Sequence, residues 1–142
     1  MTPGLEKKHT LNFEAEQEGP RYTIKIDGKH VAMTSTSFRY LLVLAWSKVV
    51  VKGGWMSKDH LDKITVNHAM YFYRMQNEIM EGVGNKPLAG WWPLYESDRM
   101  GNYRLTGNPE IDFNFESLLQ FPDHGIRVLV EDIARRLARR MG

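Results

Sequence analysis

Hydrophobic and polar positions change period several times along this chain, and each change predicts an element. Arg21-Tyr-Thr-Ile-Lys-Ile-Asp puts Tyr22, Ile24 and Ile26 on alternate positions, the period of a half-buried strand. Asp27-Gly28 is a tight-turn pair, so His30-Val-Ala-Met is predicted to return as the second strand of a hairpin. Upstream, Leu11-Asn-Phe-Glu-Ala is a candidate short strand, and residues 1–8 read as a frayed tail. After Thr34 or Ser35, either of which can cap a helix, the period lengthens, and Phe38, Leu41, Leu42, Ala45 and Val49 fall on one stripe. Gly53-Gly54 ends that unit. Ser57 is the next cap candidate and predicts a short helix through Leu61. A third helix is predicted from about Thr65 to Met80, stopping at the breakers Gly82-Val-Gly-Asn-Lys-Pro.

The second half predicts another hairpin. Trp92-Pro-Leu-Tyr-Glu-Ser and Tyr103-Arg-Leu-Thr flank the turn Asp98-Arg-Met-Gly-Asn, and Gly107-Asn-Pro closes the unit. Between Ile111 and Phe121 the pattern is ambiguous: Ile111, Phe113 and Phe115 alternate, whereas Leu118, Leu119 and Phe121 do not. Asp123 caps a last helix to about Met141, with Ile126, Val130, Ile133 and Leu137 at alternating spacings of four and three. That spacing predicts a homodimer through the C-terminal helix.

The third helix is apolar on two sides. Val66, Met70 and Tyr73 make the expected core stripe. His68, Phe72, Met75 and Ile79 make a second stripe, which must also be covered. The C-terminal helix, a protein partner or aromatic contact with DNA could each cover it, with Phe72, Met75 and Ile79 as the candidate protein interface.

Composition narrows the classes. The chain has 142 residues, 42% hydrophobic and 25% charged, an ordinary globular balance for one domain. Net charge is only +2, so a basic surface has to be local. Cysteine is absent, which excludes disulfides, Cys-based zinc sites, iron–sulfur clusters and thiol catalysis. The five histidines lack metal-ligand spacing, no catalytic triad or carboxylate pair is framed, and Gly82-Val-Gly-Asn follows a helix rather than a strand. No enzyme, cofactor or metal is expected. The polar first twenty residues predict no signal peptide, and the longest apolar run, Tyr40 to Trp46, is far short of the ~20 residues of a membrane span. A cytoplasmic protein without membrane contact is expected.

Four motifs in order carry a resemblance. Met33-Thr34-Ser-Thr-Ser37-Phe38-Arg-Tyr40-Leu41 occupies the frame Leu-Thr-x-x-Glu-Phe-x-Leu-Leu, with Ser37 where Glu is usual. Trp55-Met56-Ser57-Lys58-Asp59-His60-Leu61 follows Val-Val-Ser-Arg-Glu-x-Leu, and Thr65-Val66-Asn67-His-Ala-Met70 follows Thr-Val-Asp-x-x-Ile, with Tyr73-Arg74 for its Leu-Arg. Asn102-Tyr103-Arg104-Leu105 matches a wing ending Gly-Tyr-Arg-Leu. Together they resemble the OmpR/PhoB-type winged helix-turn-helix output domain of response regulators, over roughly residues 20–106. The resemblance implies an α+β fold of N-terminal strands, three helices and a hairpin wing. Residues 1–20 would form the tail and short strand, 21–106 the winged-helix domain, and 107–142 a C-terminal extension ending in an amphipathic helix.

By the same resemblance the chain is expected to be a sequence-specific regulator of transcription without a receiver domain, bound to double-stranded DNA. Thr65, Asn67, His68, Tyr71 and Arg74 would face the major groove, Arg99 at the wing's turn would reach the backbone or minor groove, Arg104 in its return strand is a further expected DNA contact, and Lys58 would sit near phosphate. The family's third helix carries Arg and Lys on its outer face, whereas here Phe72, Met75 and Gln76 occupy those positions and Arg74 is the helix's one Lys or Arg. That departure keeps open a protein–protein interaction module on a degenerate winged-helix frame. Arg135, Arg136, Arg139 and Arg140 on the last helix either grip phosphates or pair with Glu131 and Asp132 in solvent.

Overall fold

A computed structural model describes residues 9–51, 53–56, 68–84, 93–107, 109–120 and 123–141; the side chains at 14, 15, 68, 69, 137, 140 and 141 fall outside that description. The architecture is α+β. Strands β1 (Thr10–Glu18), β2 (Arg21–Ile26) and β3 (Lys29–Met33) form an antiparallel meander. The β2–β3 turn has Asp27 at φ 52° and Gly28 at φ 82°, two left-handed residues in succession, which suits the strand twist of a tight hairpin. Asp27 also accepts the Thr10 amide at 2.8 Å and lies 2.6 Å from His9 Nδ1, so the turn is tied to the start of β1.

Helix α1 (Ser35–Val50) lies on the sheet and is buried on all sides, every residue from Ser37 to Ser47 except Arg39 being enclosed. A helix apolar all round has to be central. Only its last turn emerges, so Val49, expected on the buried stripe, is exposed. Helix α2 (His68–Gly82) packs on α1 and β3. Strands β4 (Tyr95–Ser97) and β5 (Tyr103–Leu105) form the second hairpin, and Met56 adds a bridge to Tyr103 through bonds of 2.7 and 3.0 Å.

The ambiguous stretch resolves into both elements it hinted at. Strand β6 (Glu110–Phe113) runs parallel to β1, giving the order β3-β2-β1-β6, and stacks Phe113 on Phe13 at 5.2 Å. A single turn, α3 (Phe115–Leu118), follows, capped by Asn114. Helix α4 (His124–Met141) starts at Asp123, whose carboxylate accepts the Ile126 amide at 3.1 Å and the Arg39 guanidinium at 2.7 Å. Burial pushes the Asp123 pKa up, but the Ile126 amide, Arg39 and Ser35 together outweigh it and hold the carboxyl below its ordinary value.

Three expectations are corrected here. The two apolar faces of α2 are exchanged: Phe72, Met75 and Ile79 are fully buried, while Met70 and Tyr73 are 42% and 62% exposed. The first three therefore cannot be a docking surface for a protein. Among the described residues α2 packs mainly on α1 and β3 rather than on the C-terminal helix. Phe72 lies among the rings of Tyr40, Tyr95 and Tyr103, at 4.7, 5.1 and 4.4 Å. Finally, Ile126, Val130 and Ile133 of α4 sit in this chain's own core, so the described part of the stripe expected to dimerise is already covered. Among the described residues no helix is long and apolar enough to cross a membrane.

Candidate nucleic-acid interface

The face that α2 turns to solvent follows from what it buries. Phe72, Met75, Gln76 and Ile79 point inward, and Gln76 Oε1 accepts the Leu94 amide at 2.7 Å in the interior, fixing the start of the hairpin to the helix. Met70, Tyr73, Arg74, Asn77 and Glu81 then line the opposite side at spacings of three and four residues. A shallow groove of about 500 Å³ runs beside them, bounded across from α2 by Arg21 and Thr34. Arg74 is exposed, its guanidinium 5.2 Å from the centre of the Tyr71 ring. Tyr71 itself is half-buried and stacks on Tyr40 of α1 at 6.0 Å. It supports Arg74 and is less available to a groove than the sequence suggested.

The inner edge of this face is held by a carboxylate. Glu78 is buried and accepts the Thr34 amide at 2.6 Å and the Ser37 hydroxyl at 2.5 Å. Thr34 is the N-cap of α1, makes no side-chain cap of its own, and no acidic residue occupies that helix's first turn. In a capping box, a Glu three residues after the cap would take the cap's amide. Ser37 stands at that position, and the missing carboxylate comes from α2 instead. Arg21 lies 3.9 Å from the same Glu78. With Arg74 and Arg21 set against Glu78 and Glu81, the face is balanced in charge rather than strongly basic.

At the hairpin tip, Arg99 has φ 63° and is exposed beside Met100, itself 84% exposed. Asp98 builds the turn, taking the Asn102 side-chain amide at 2.6 Å and the Met100 amide at 2.7 Å. The Asn102 bond and then the Met100 amide hold the Asp98 carboxyl below its usual pKa. Arg104 has another role from the one expected. Its Nε donates to Glu96 at 2.5 Å, Nη1 donates to the Gly53 carbonyl at 2.9 Å, and the guanidinium lies 4.2 Å over the Trp55 ring. It braces the segment after α1 against the hairpin.

No match is found among family models, curated proteins or solved structures.

The chain's own geometry therefore carries the functional reading. Of the expected site residues, Arg74 and Arg99 are exposed, Tyr71 and Arg104 are engaged within the fold, and Lys58, Thr65 and Asn67 lie outside the described residues, as does the His68 side chain. Trp92 of the second hairpin and the short helix expected from Ser57 to Leu61 lie outside them too. Tyr73, Asn77, Glu78 and Arg21 join the site unannounced. The signal for Glu78 was the empty Glu position at Ser37, since an uncapped helix start needs an acceptor from elsewhere. Chemically, a guanidinium, an amide and a phenol along one helix face offer donors and acceptors for base edges or for a polar protein surface. Among the described residues no cluster of three or more His, Asp or Glu could hold a metal ion.

Proposed function

We propose that this chain is a winged helix-turn-helix module of the OmpR/PhoB type, a cytoplasmic regulator that binds duplex DNA with α2 in the major groove and the β4–β5 hairpin as its wing. The observation that carries this reading is the junction behind α2. Met56 bridges to the hairpin at Tyr103, and Phe72 is clamped between that hairpin and α1. The helix is thereby set rigidly with Tyr73, Arg74 and Asn77 outward and an arginine-tipped wing nearby. Arg74 suits a guanine edge and Asn77 an adenine edge, and Arg99 suits phosphate. Lys58, Thr65, Asn67 and His68 remain proposed contacts on sequence grounds. Tyr71 and Arg104 act as supports for Arg74 and the wing.

A salt-titrated binding assay on duplex DNA tests the reading. Arg74→Ala should weaken specific binding by about 1–3 kcal/mol, and should flatten the salt slope by about 0.9 if the contact is to phosphate. A protein that binds no duplex at low salt overturns the proposal. One observation favours a second reading, a protein partner on the same face: Met70 and Tyr73 are exposed beside Glu81. In that case Tyr73→Ala would outweigh Arg74→Ala, since aromatic anchors dominate protein interfaces.

A further inference from the structure

The positive charge of this chain is concentrated at one end of α4. Arg127, Arg135, Arg136, Arg139 and Arg140 against Glu131 and Asp132 give α4 a charge of +3. The whole chain carries +2, so everything before α4 sums to −1. The face of α2 is balanced in charge, as described above. Duplex binding depends on neutralising phosphates, and a net −1 over the rest of the chain supplies little of that.

The arginines are placed to supply it. Ile133 is the last described core residue of α4, and from Arg135 onward its described side chains are exposed. Arg135, Arg136 and Arg139 fall within an arc of about 100° and about 6 Å of helix axis, close to two phosphate steps along one strand. Their ties within the chain are weak. One carboxylate, Asp132, serves both Arg135 at 3.9 Å and Arg136 at 3.2 Å, with the two arginines 61% and 51% exposed. Exposed ion pairs of this kind are readily exchanged for another anion. Ile126, Val130 and Ile133 of α4 are in the core, so these residues offer neither a membrane nor a second copy a hydrophobic face.

We infer that the arginine-bearing end of α4 is a second DNA contact, gripping the phosphate backbone through Arg135, Arg136 and Arg139 and supplying most of the salt-dependent affinity. This rests on the duplex-binding reading above. The probe is a mixed-sequence duplex of about 20 base pairs, titrated with the full chain between about 50 and 200 mM salt. The variant R135Q/R136Q/R139Q should lose about 2–3 units of salt slope, so that the native protein loses about 15- to 65-fold more affinity than the variant over that range. R135K/R136K/R139K, which keeps the charge, should retain the native slope, and the melting temperatures of both variants should match the native protein. A glutamine variant with the native slope, or a lysine variant as flat as the glutamine one, overturns the inference. If the glutamine variant flattens the slope while Arg74→Ala changes nothing, the α4 contact stands and the α2 reading falls. Absence of native binding to the duplex overturns both, including the case where the protein binds phosphatidylserine vesicles instead.

Discussion

Removing the Glu78 carboxylate should uncouple two helices that are distant in sequence. Glu78→Ala deprives the Thr34 amide of its acceptor and the Ser37 hydroxyl of its partner, bonds of 2.6 and 2.5 Å. Hydrogen bonds to a charged group contribute about 1.5–3 kcal/mol each, and a carboxylate at a helix N-terminus adds about 0.3–1 kcal/mol through the helix dipole. The Thr34 and Ser37 hydroxyls are 3.1 Å apart and can satisfy each other. The unmet group is then mainly the Thr34 amide, and the expected loss is about 2–4 kcal/mol. Glu78→Gln keeps an oxygen for that amide and should cost about 1 kcal/mol. Urea unfolding would read these as lower midpoints at unchanged slope. In the Glu78→Ala background, Ser37→Glu rebuilds a local capping box in the vacated space and should recover at least about 1 kcal/mol. A Glu78→Ala loss under about 0.5 kcal/mol, or a Gln variant as unstable as the Ala variant, would refute the reasoning.

Phe72→Ala should cost about 3–5 kcal/mol, lowering the thermal midpoint by roughly 10–20 °C, because it empties the space among Tyr40, Tyr95 and Tyr103; a shift of a few degrees would mean that the ring is not in the core. Gly82→Ala should destabilise despite its better helix propensity, since an added Cβ would lie 2.7 Å from the branched Val31 side chain; a raised midpoint would contradict that close approach. Asp123 has a depressed folded-state pKa, so its contribution is full above the unfolded value and is lost as pH falls through the lower folded one. The gap in melting temperature between the native protein and Asp123→Asn should therefore be widest near neutrality and close in strong acid; a gap independent of pH would show that Asp123 contributes no more folded than unfolded.

The N-terminal hairpin, α1, the start of α4 and the second hairpin were legible because their signals are local: alternation at Tyr22, Ile24 and Ile26, the Asp27-Gly28 pair, the caps at Thr34 and Asp123. What was not legible depends on partners far away in the chain. On α2, Tyr73 and Phe72 belong to rival stripes that periodicity ranks alike, and the choice is made by Tyr40, Tyr95 and Tyr103 closing around Phe72. The same holds for α4, where Ile126, Val130 and Ile133 have a spacing that fits a second copy as well as this chain's own core. Parallel pairing of β6 with β1 joins residues about a hundred positions apart, and no local pattern in Ile111 or Phe113 names that neighbour. Arg104 was read as a ligand contact although Glu96 faces it across the hairpin, a cross-strand charge pair that the turn at Asp98–Asn102 already implied.

On the proposed function, α2 and the wing meet a duplex together. Amide chemical-shift mapping of the labelled protein, titrated with duplex DNA at low salt, tests it residue by residue. The largest shifts are expected at Met70, Tyr73, Arg74 and Asn77 and at Arg99 and Met100, with the β1–β2–β3 sheet beyond Arg21 unmoved. Shifts confined to that sheet, or none at saturating duplex, would contradict it.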